Sequence, residues 1–274
     1  MSGTVAQWLP LVAALLAAGA VGGLVAGLLG VGGGIVIVPV LDLALEFAGV
    51  DPAVALHVAV ATSMATIIPT SISSARSHAR RGSVDLAVVR RWSLPIVVGA
   101  LGGSLAAAYV DAHWLAIVFG TVALLAALKM LLPLDHVVLR DSIPGGLAGA
   151  TLPAAIGAVS AMMGSGGGTL SVPSMTLCGE PVHKAVGTAA LLGLWISVPA
   201  TIGYLVARPP PGVMPPLTLG YVSLLGFAVI APVTWGMAPV GARLAHSMDR
   251  RRLSAAFGLF LALVAARMLY RALA

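Results

Sequence analysis

One cysteine, Cys178, stands among 274 residues, which excludes internal disulfides and a cysteine metal cluster. Charge is also scarce: Asp, Glu, Lys and Arg make up 9% of the chain, against roughly 25% in a soluble domain. So few charges cannot cover a water-facing surface. Carboxylates are missing where a cation carrier would need them. None lies near the middle of a full apolar segment, and Asp42 and Glu46 fall in a short one and at its exit. Cation transporters and proton pumps rely on intramembrane carboxylates, so their lack favours an anionic substrate over a metal ion or sodium. No cofactor and no metal site is expected.

What is present is apolar sequence: 59% of the residues are hydrophobic, with a mean hydropathy of +1.04. An integral membrane protein follows. A span needs about 20 apolar residues, and eight stretches are long enough: Leu9–Leu29, Pro52–Ser74, Ser93–Val110, Trp114–Leu132, Pro144–Met163, Lys184–Val206, Thr218–Gly241 and Leu253–Leu273. Two shorter ones, Ile35–Phe47 and Thr169–Cys178, bring the count to ten. Ala18-Gly19-Ala20 mimics a signal-peptide cleavage site. No basic stretch precedes it, however, and the segment leads into a duplicated motif, so it is expected to stay in the mature protein. The net charge of +6 does not imply a nucleic-acid partner, because the basic residues sit in short loops between apolar spans, where they set orientation.

The duplicated motif is Gly-x-Gly-Gly-Gly followed by proline. Gly30, Gly32, Gly33, Gly34 and Pro39 recur as Gly164, Gly166, Gly167, Gly168 and Pro173. Glycine in a helix interior costs roughly 1 kcal/mol relative to alanine, so three in a row break it. Each cluster is expected to end one helix and start a short half-helix. Irregular backbone within lipid survives only where protein or a water-filled cavity covers it. Without a Cβ, backbone N–H groups can converge on a ligand, and the positive end of the half-helix points at the same place. That makes an anion site from Gly32, Gly33 and Gly34 and from Gly166, Gly167 and Gly168, with Ser165 and Thr169 adding hydroxyls. The competing use of small residues is close helix packing, which accounts for many of the 33 glycines, Gly22-Gly23, Gly102-Gly103 and Gly145-Gly146 among them.

Orientation follows from the arginines. Placing Arg76, Arg80, Arg81, Arg90, Arg91, Arg243, Arg250, Arg251 and Arg252 in the cytoplasm takes Lys129, Arg140 and Lys184 with them and leaves only Arg208, Arg267 and Arg271 outside. Both termini are then external. The two glycine clusters are approached from opposite sides of the membrane. A second match, His57, Ala59, Val60 and Thr62 against His183, Ala185, Val186 and Thr188, supports two halves of opposite orientation: 1–132 and 144–274, joined by a cytoplasmic linker 133–143. Inverted repeats mark secondary transporters, with the site near the midplane at the repeat interface.

Other candidates need weighing. Thr62, Thr66, Thr70, Ser73 and Ser77 make a stripe at helical spacing and are expected to line the pathway; the alternative is hydroxyls bonded to their own helix. Pro69 and Pro199 each free a carbonyl and permit a kink. His57 and His183 are candidates for proton coupling, and Arg76 and His78 for anion gathering or gating at the cytoplasmic mouth. Gly164-Ser165-Gly166 with His183 suggests a serine-protease dyad, but a nucleophile must be held by its base, and an enzyme is not expected. An inert scaffold would leave the inverted pairing of the glycines unexplained. A channel stays open as an alternative, as does another small anion such as thiosulfate or a carboxylate.

The paired Gly-x-Gly-Gly-Gly-x-x-x-x-Pro motifs, each followed by a helix bearing Ala61-Thr62-Ser63 or Gly187-Thr188-Ala189, and the stretch Ser74–Asp85 after the third segment, resemble the TauE/SafE family of sulfite and organosulfonate exporters. Against the family's usual Gly-Thr-Ser, each copy departs at one position. The resemblance implies export of a small sulfur-containing anion. The expected protein is thus an all-α, multi-pass transporter of the inner (plasma) membrane, working by alternating access. Segments 1–3 and 6–8 carry the substrate, with Thr62, Ser63 and Thr188 as walls. Segments 4, 5, 9 and 10 form a scaffold with a face for a homodimer.

Overall fold

The computed structural model describes residues 2–131, 148–209, 214–244 and 250–273. The expected linker 133–143, with Arg140, and the start of the sixth segment at Pro144 lie outside them. Ten helices follow in order: α1 Ser2–Leu29, α2 Gly34–Phe47, α3 Pro52–Ala79, α4 Leu86–Ala107, α5 Ala112–Leu131, α6 Ala148–Met162, α7 Gly168–Leu177, α8 Val182–Val206, α9 Leu224–Leu244 and α10 Arg250–Leu273. A two-stranded hairpin, β1 Thr218–Leu219 and β2 Val222–Ser223, precedes α9. By length and composition six of the described helices can cross a membrane: α1, α3, α4, α5, α8 and α9; α6 is a shorter apolar helix.

Local chemistry sets the ends. The chain turns after α1 through Gly30, Gly32 and Gly33 at φ of 68°, 78° and 78°, and after α6 through Gly164 and Gly167 at 67° and 80°. Residues with a Cβ avoid this left-handed region. Gly33 and Gly167 are the N-caps of α2 and α7. Asp51 caps α3 by accepting from Ala53 N, with Pro52 in the first turn, where its missing N–H costs nothing. The expected span Thr218–Gly241 is corrected at its start: Gly220, at φ 55°, turns the chain into the hairpin and the helix begins only at Leu224.

α3 and α8 form the centre: 83% and 61% of an 18-residue apolar stretch in each is buried, against 33% in α4 and α9. They pack on each other, while α1 lies along α9, α4 along α6, and α5 against α10. Glycine makes two of these contacts backbone to backbone. A Cβ at Gly23 would lie 2.8 Å from Thr234 Cα, and one at Gly27 2.6 Å from Ala242 N. Gly99 and Gly103 do the same on α6, at 2.7 Å from the Ala154 carbonyl carbon and 2.6 Å from Ala158 Cα. In lipid, where no hydrophobic force drives helices together, such close van der Waals packing does so. These seams join each expected substrate-carrying unit to the expected scaffold.

The neighbours Gly102 and Gly103 make this testable. Gly102 has no atom within 4 Å of its Cβ position, so Gly102→Ala is expected to be neutral or to stabilise by up to about 1 kcal/mol. Gly103→Ala should destabilise by about 1–3 kcal/mol through overpacking. Thermal unfolding in detergent would show the contrast, and equal effects would refute it.

Candidate anion site at two crossed hairpin tips

The α1–α2 and α6–α7 hairpins meet at their glycine tips in the buried centre: every residue of 30–39 and 163–169 is buried. The contacts are reciprocal between matched positions. A Cβ at Gly32 would fall 2.9 Å from Gly166 Cα, and one at Gly166 3.0 Å from Gly32 Cα. The Gly164 carbonyl oxygen fills the Cβ space of Gly34, and the Gly30 carbonyl oxygen that of Gly168. Gly30 abuts Val186 on α8, and Gly164 abuts Val60 on α3. The chain runs this close because glycine leaves room for a facing carbonyl. Each half-helix begins with amides that have no partner inside the helix, and the macrodipole makes these ends attractive to negative charge.

The hydroxyls divide into those aimed at the tips and those engaged elsewhere. Ser165 Oγ and Thr169 Oγ1 hydrogen-bond to each other at 2.8 Å, both buried. Ser63 commits its only proton to the Gly164 carbonyl, 2.8 Å away, and cannot also donate to an anion. Thr62 and Thr188 are not open walls. Thr62 Oγ1 accepts from Ser223 N, and Thr188 Oγ1 accepts from Asp85 N, each at 2.9 Å. Ser223 and Asp85 in turn cap the amides of α9 and α4, through Gly226 N and through Ala87 and Val88 N. The two threonines therefore brace equivalent helix starts. Gly187, beside Thr188, leaves room for the Ser83 carbonyl of the same loop.

The stripe on α3 is corrected as well. Thr66 and Thr70 donate to the carbonyls of Ser63 and Thr66 on their own helix, and Ser73 donates across to Trp235 O on α9.

The histidines part company. His57 is buried, with Nδ1 3.0 Å from Ala53 O, Nε2 2.8 Å from Val110 O, and its ring 5.4 Å from that of Tyr221. It ties the start of α3 to the α4–α5 turn. Burial, with Tyr109 adding to it, pushes the Tyr221 phenol up, so its hydroxyl stays protonated and donates to Ala108 O at 3.2 Å. His78 is buried with Nε2 3.0 Å from Gly27 O, linking the end of α3 to α1. His183 and Arg76 are exposed. No protease dyad forms: Ser165 pairs with Thr169 at one end of α7, and His183 lies beyond the other end, about 15 Å along that ten-residue helix.

One cluster was not legible in the sequence. Asp42 on α2 is fully buried, with Oδ2 2.5 Å from Arg271 Nη1 and 3.9 Å from Arg267 Nη2. Glu46 completes it, at 2.8 Å from Arg271 and 3.4 Å from Arg267. More than 200 residues separate the partners, and no local periodicity announces such a pairing.

Among known proteins, a "Probable membrane transporter protein" of Haemophilus influenzae is 31% identical over 256 residues, covering 92% of this chain and 96% of the relative. A probable membrane transporter protein of Bacillus subtilis is 24% identical over 279 residues, with 93% and 96% covered. One from Methanocaldococcus jannaschii is 26% identical over 235 residues, with 82% and 80% covered. No solved structure matches the chain. The profile described as "Sulfite exporter TauE/SafE" matches residues 15–268. With its several apolar helices and the two glycine hairpins within that range, the chain is a multi-pass membrane protein that belongs to the TauE/SafE family of membrane transporters.

Proposed function

We propose that this protein exports a small sulfur-containing anion, sulfite or an organosulfonate, and that the anion binds where the two hairpin tips cross. The reciprocal meeting of the tips carries this reading: two matched, positively polarised helix starts converge on one buried point. The backbone amides of Gly32–Gly34 and Gly166–Gly168, with Ser165 and Thr169, supply donors and no fixed charge. The halves 1–132 and 144–274 are inverted repeats in this reading. The reciprocal packing of α1 on α9 and α4 on α6 supports it, and both termini are external. Burial of the whole crossing favours alternating access over an open channel.

The test is flux. Purified protein in proteoliposomes held at zero membrane potential should take up sulfite or methanesulfonate faster when the same anion is loaded inside, a stimulation an open pore does not show without a potential. With a folded protein, rates no higher than in empty liposomes for sulfite, methanesulfonate, taurine, thiosulfate and acetate would overturn the reading. Orientation is tested separately in a Cys178→Ser background. A cysteine at Ser83 should label only from the cytoplasm and one at Ala112 only from outside, and the reverse pattern would refute the inverted arrangement.

A further inference from the structure

We infer that the two tips are unequal: the anion is held at the α7 tip, with Ser171 as a direct ligand contact beside Ser165 and Thr169. The inference rests on the functional reading above and says which half of that site does the binding.

Several helical hydroxyls here donate to a carbonyl three or four residues back. Ser174 to Leu170 O, Thr176 to Pro173 O and Thr234 to Ala231 O are examples. Ser171 does not. Its hydroxyl is fully buried and has no hydrogen-bond partner among the described residues, a condition it shares with Ser160 on α6 and Thr201 on α8. At the start of α7 one of the two carbonyls within its reach is closed to it. The carbonyl four residues back, Gly167 O, already accepts from Leu170 N at 3.0 Å and Ser171 N at 2.7 Å, so both of its lone pairs are taken. Ser171 Oγ lies instead beside the tip, 3.6 Å from the Cβ position of Gly167, a point that Ile196 Cδ1 of α8 also crowds. A buried unpartnered hydroxyl is costly, and one held in place by its own helix geometry is a donor awaiting an acceptor.

The pair Ser165–Thr169 offers a second donor. One hydroxyl proton makes the bond between them and the other is left over, whichever residue donates. Together with the first amides of α7 this is a donor-only set, suited to a group that only accepts, as the oxygens of a sulfonate or sulfite do. The α2 tip has the same backbone, with Gly33 O accepting from Val36 N and Ile37 N. There the matched positions are Val31, Ile35 and Ile37, all buried and apolar. No matched position of that tip carries a side-chain donor, and Ser63 Oγ beside Gly34 is committed to Gly164 O.

The experiment is calorimetric titration of the full chain in detergent with sulfite and methanesulfonate, together with thermal unfolding of the ligand-free protein. Ser171→Ala should weaken binding about tenfold or more while the ligand-free protein melts no lower than wild type, because the lost hydroxyl had no partner. Thr169→Val should weaken binding to a similar extent, and Ile37→Val should stay within about twofold of wild type. If Ser171→Ala fails to accumulate, Ser171→Cys, nearly isosteric with a weak donor, should show the same loss. Wild-type affinity in the Ser171 variants would overturn the inference, and so would an equal loss in Ile37→Val. A lowered melting temperature without ligand would reveal a structural partner and also overturn it. Wild-type protein that binds neither anion would instead bring down the functional reading itself.

Discussion

Alanine at Gly168, or at the matched Gly34, is expected to be among the most damaging single-methyl changes in the chain. A Cβ at Gly168 would lie 2.5 Å from the Gly30 carbonyl carbon and 2.6 Å from Val31 Cα, besides overlapping the Gly30 carbonyl oxygen. At Gly34 it would overlap the Gly164 carbonyl oxygen and sit 2.8 Å from Ser63 Oγ. The obstacles are mainly backbone atoms of the opposite hairpin, which cannot rotate aside as a side chain can. Relief requires the two tips to part. The loss should reach or exceed the upper end of the usual overpacking cost, about 1–3 kcal/mol, and anion binding should go with it. Thermal unfolding of the ligand-free variants checks this, with Gly102→Ala as the reference. Melting within about 2 °C of that reference would show that the tips do not touch as described. Gly33 and Gly167 do not serve the same purpose. At φ 78° and 80° a side chain is strained there whatever its neighbours, and a Cβ at Gly167 would also overlap Ile196 Cδ1. Alanine there destabilises the empty protein whether or not the tip binds anions, so the hydroxyls of the α7 tip are the discriminating probes.

Arg271→Gln is expected to be nearly as severe. It leaves the fully buried Asp42 carboxylate with Arg267 at 3.9 Å as its remaining cationic partner. Breaking a buried ion pair from one side typically costs about 3–5 kcal/mol, because a buried charge is left uncompensated. Asp42→Asn should cost less, since Arg271 keeps Glu46 at 2.8 Å and Pro52 O at 2.7 Å. The double variant Asp42→Asn, Arg271→Gln should recover much of the loss, which a double-mutant cycle would register as a coupling of about 1–3 kcal/mol. Strict additivity would mean the pair carries no energy. The cluster pins the C-terminal half of α2 to α10, as the 3.3 Å bond from Lys129 Nζ to Thr176 Oγ1 ties α7 to α5. Each half-helix is therefore held at the end away from the tip.

The contrast between these two predictions separates what is local from what is not. The half-helices were legible to within about one residue: the expected Ile35–Phe47 and Thr169–Cys178 are Gly34–Phe47 and Gly168–Leu177. A run of glycines breaks a helix through its own backbone entropy and missing Cβ, whatever surrounds it. Membrane residence was equally legible, because low charge and long apolar runs act through composition. The sequence alone did not separate Gly102, which faces open space, from Gly103, which packs on Ala158; both are glycines one position apart, and only the neighbouring helix distinguishes them. It did not show that Thr62 and Thr188 hold the caps of α9 and α4, that the α3 stripe bonds to itself and to α9, or that Asp42 meets Arg271. Nor did it single out Ser171 among the serines and threonines of α7, because the bonds that strand its hydroxyl exist only once Gly167 has turned the chain. Period and composition determine which residues form helices and which lie in the membrane. Partners distant in sequence are chosen by packing, and only the tertiary structure decides them.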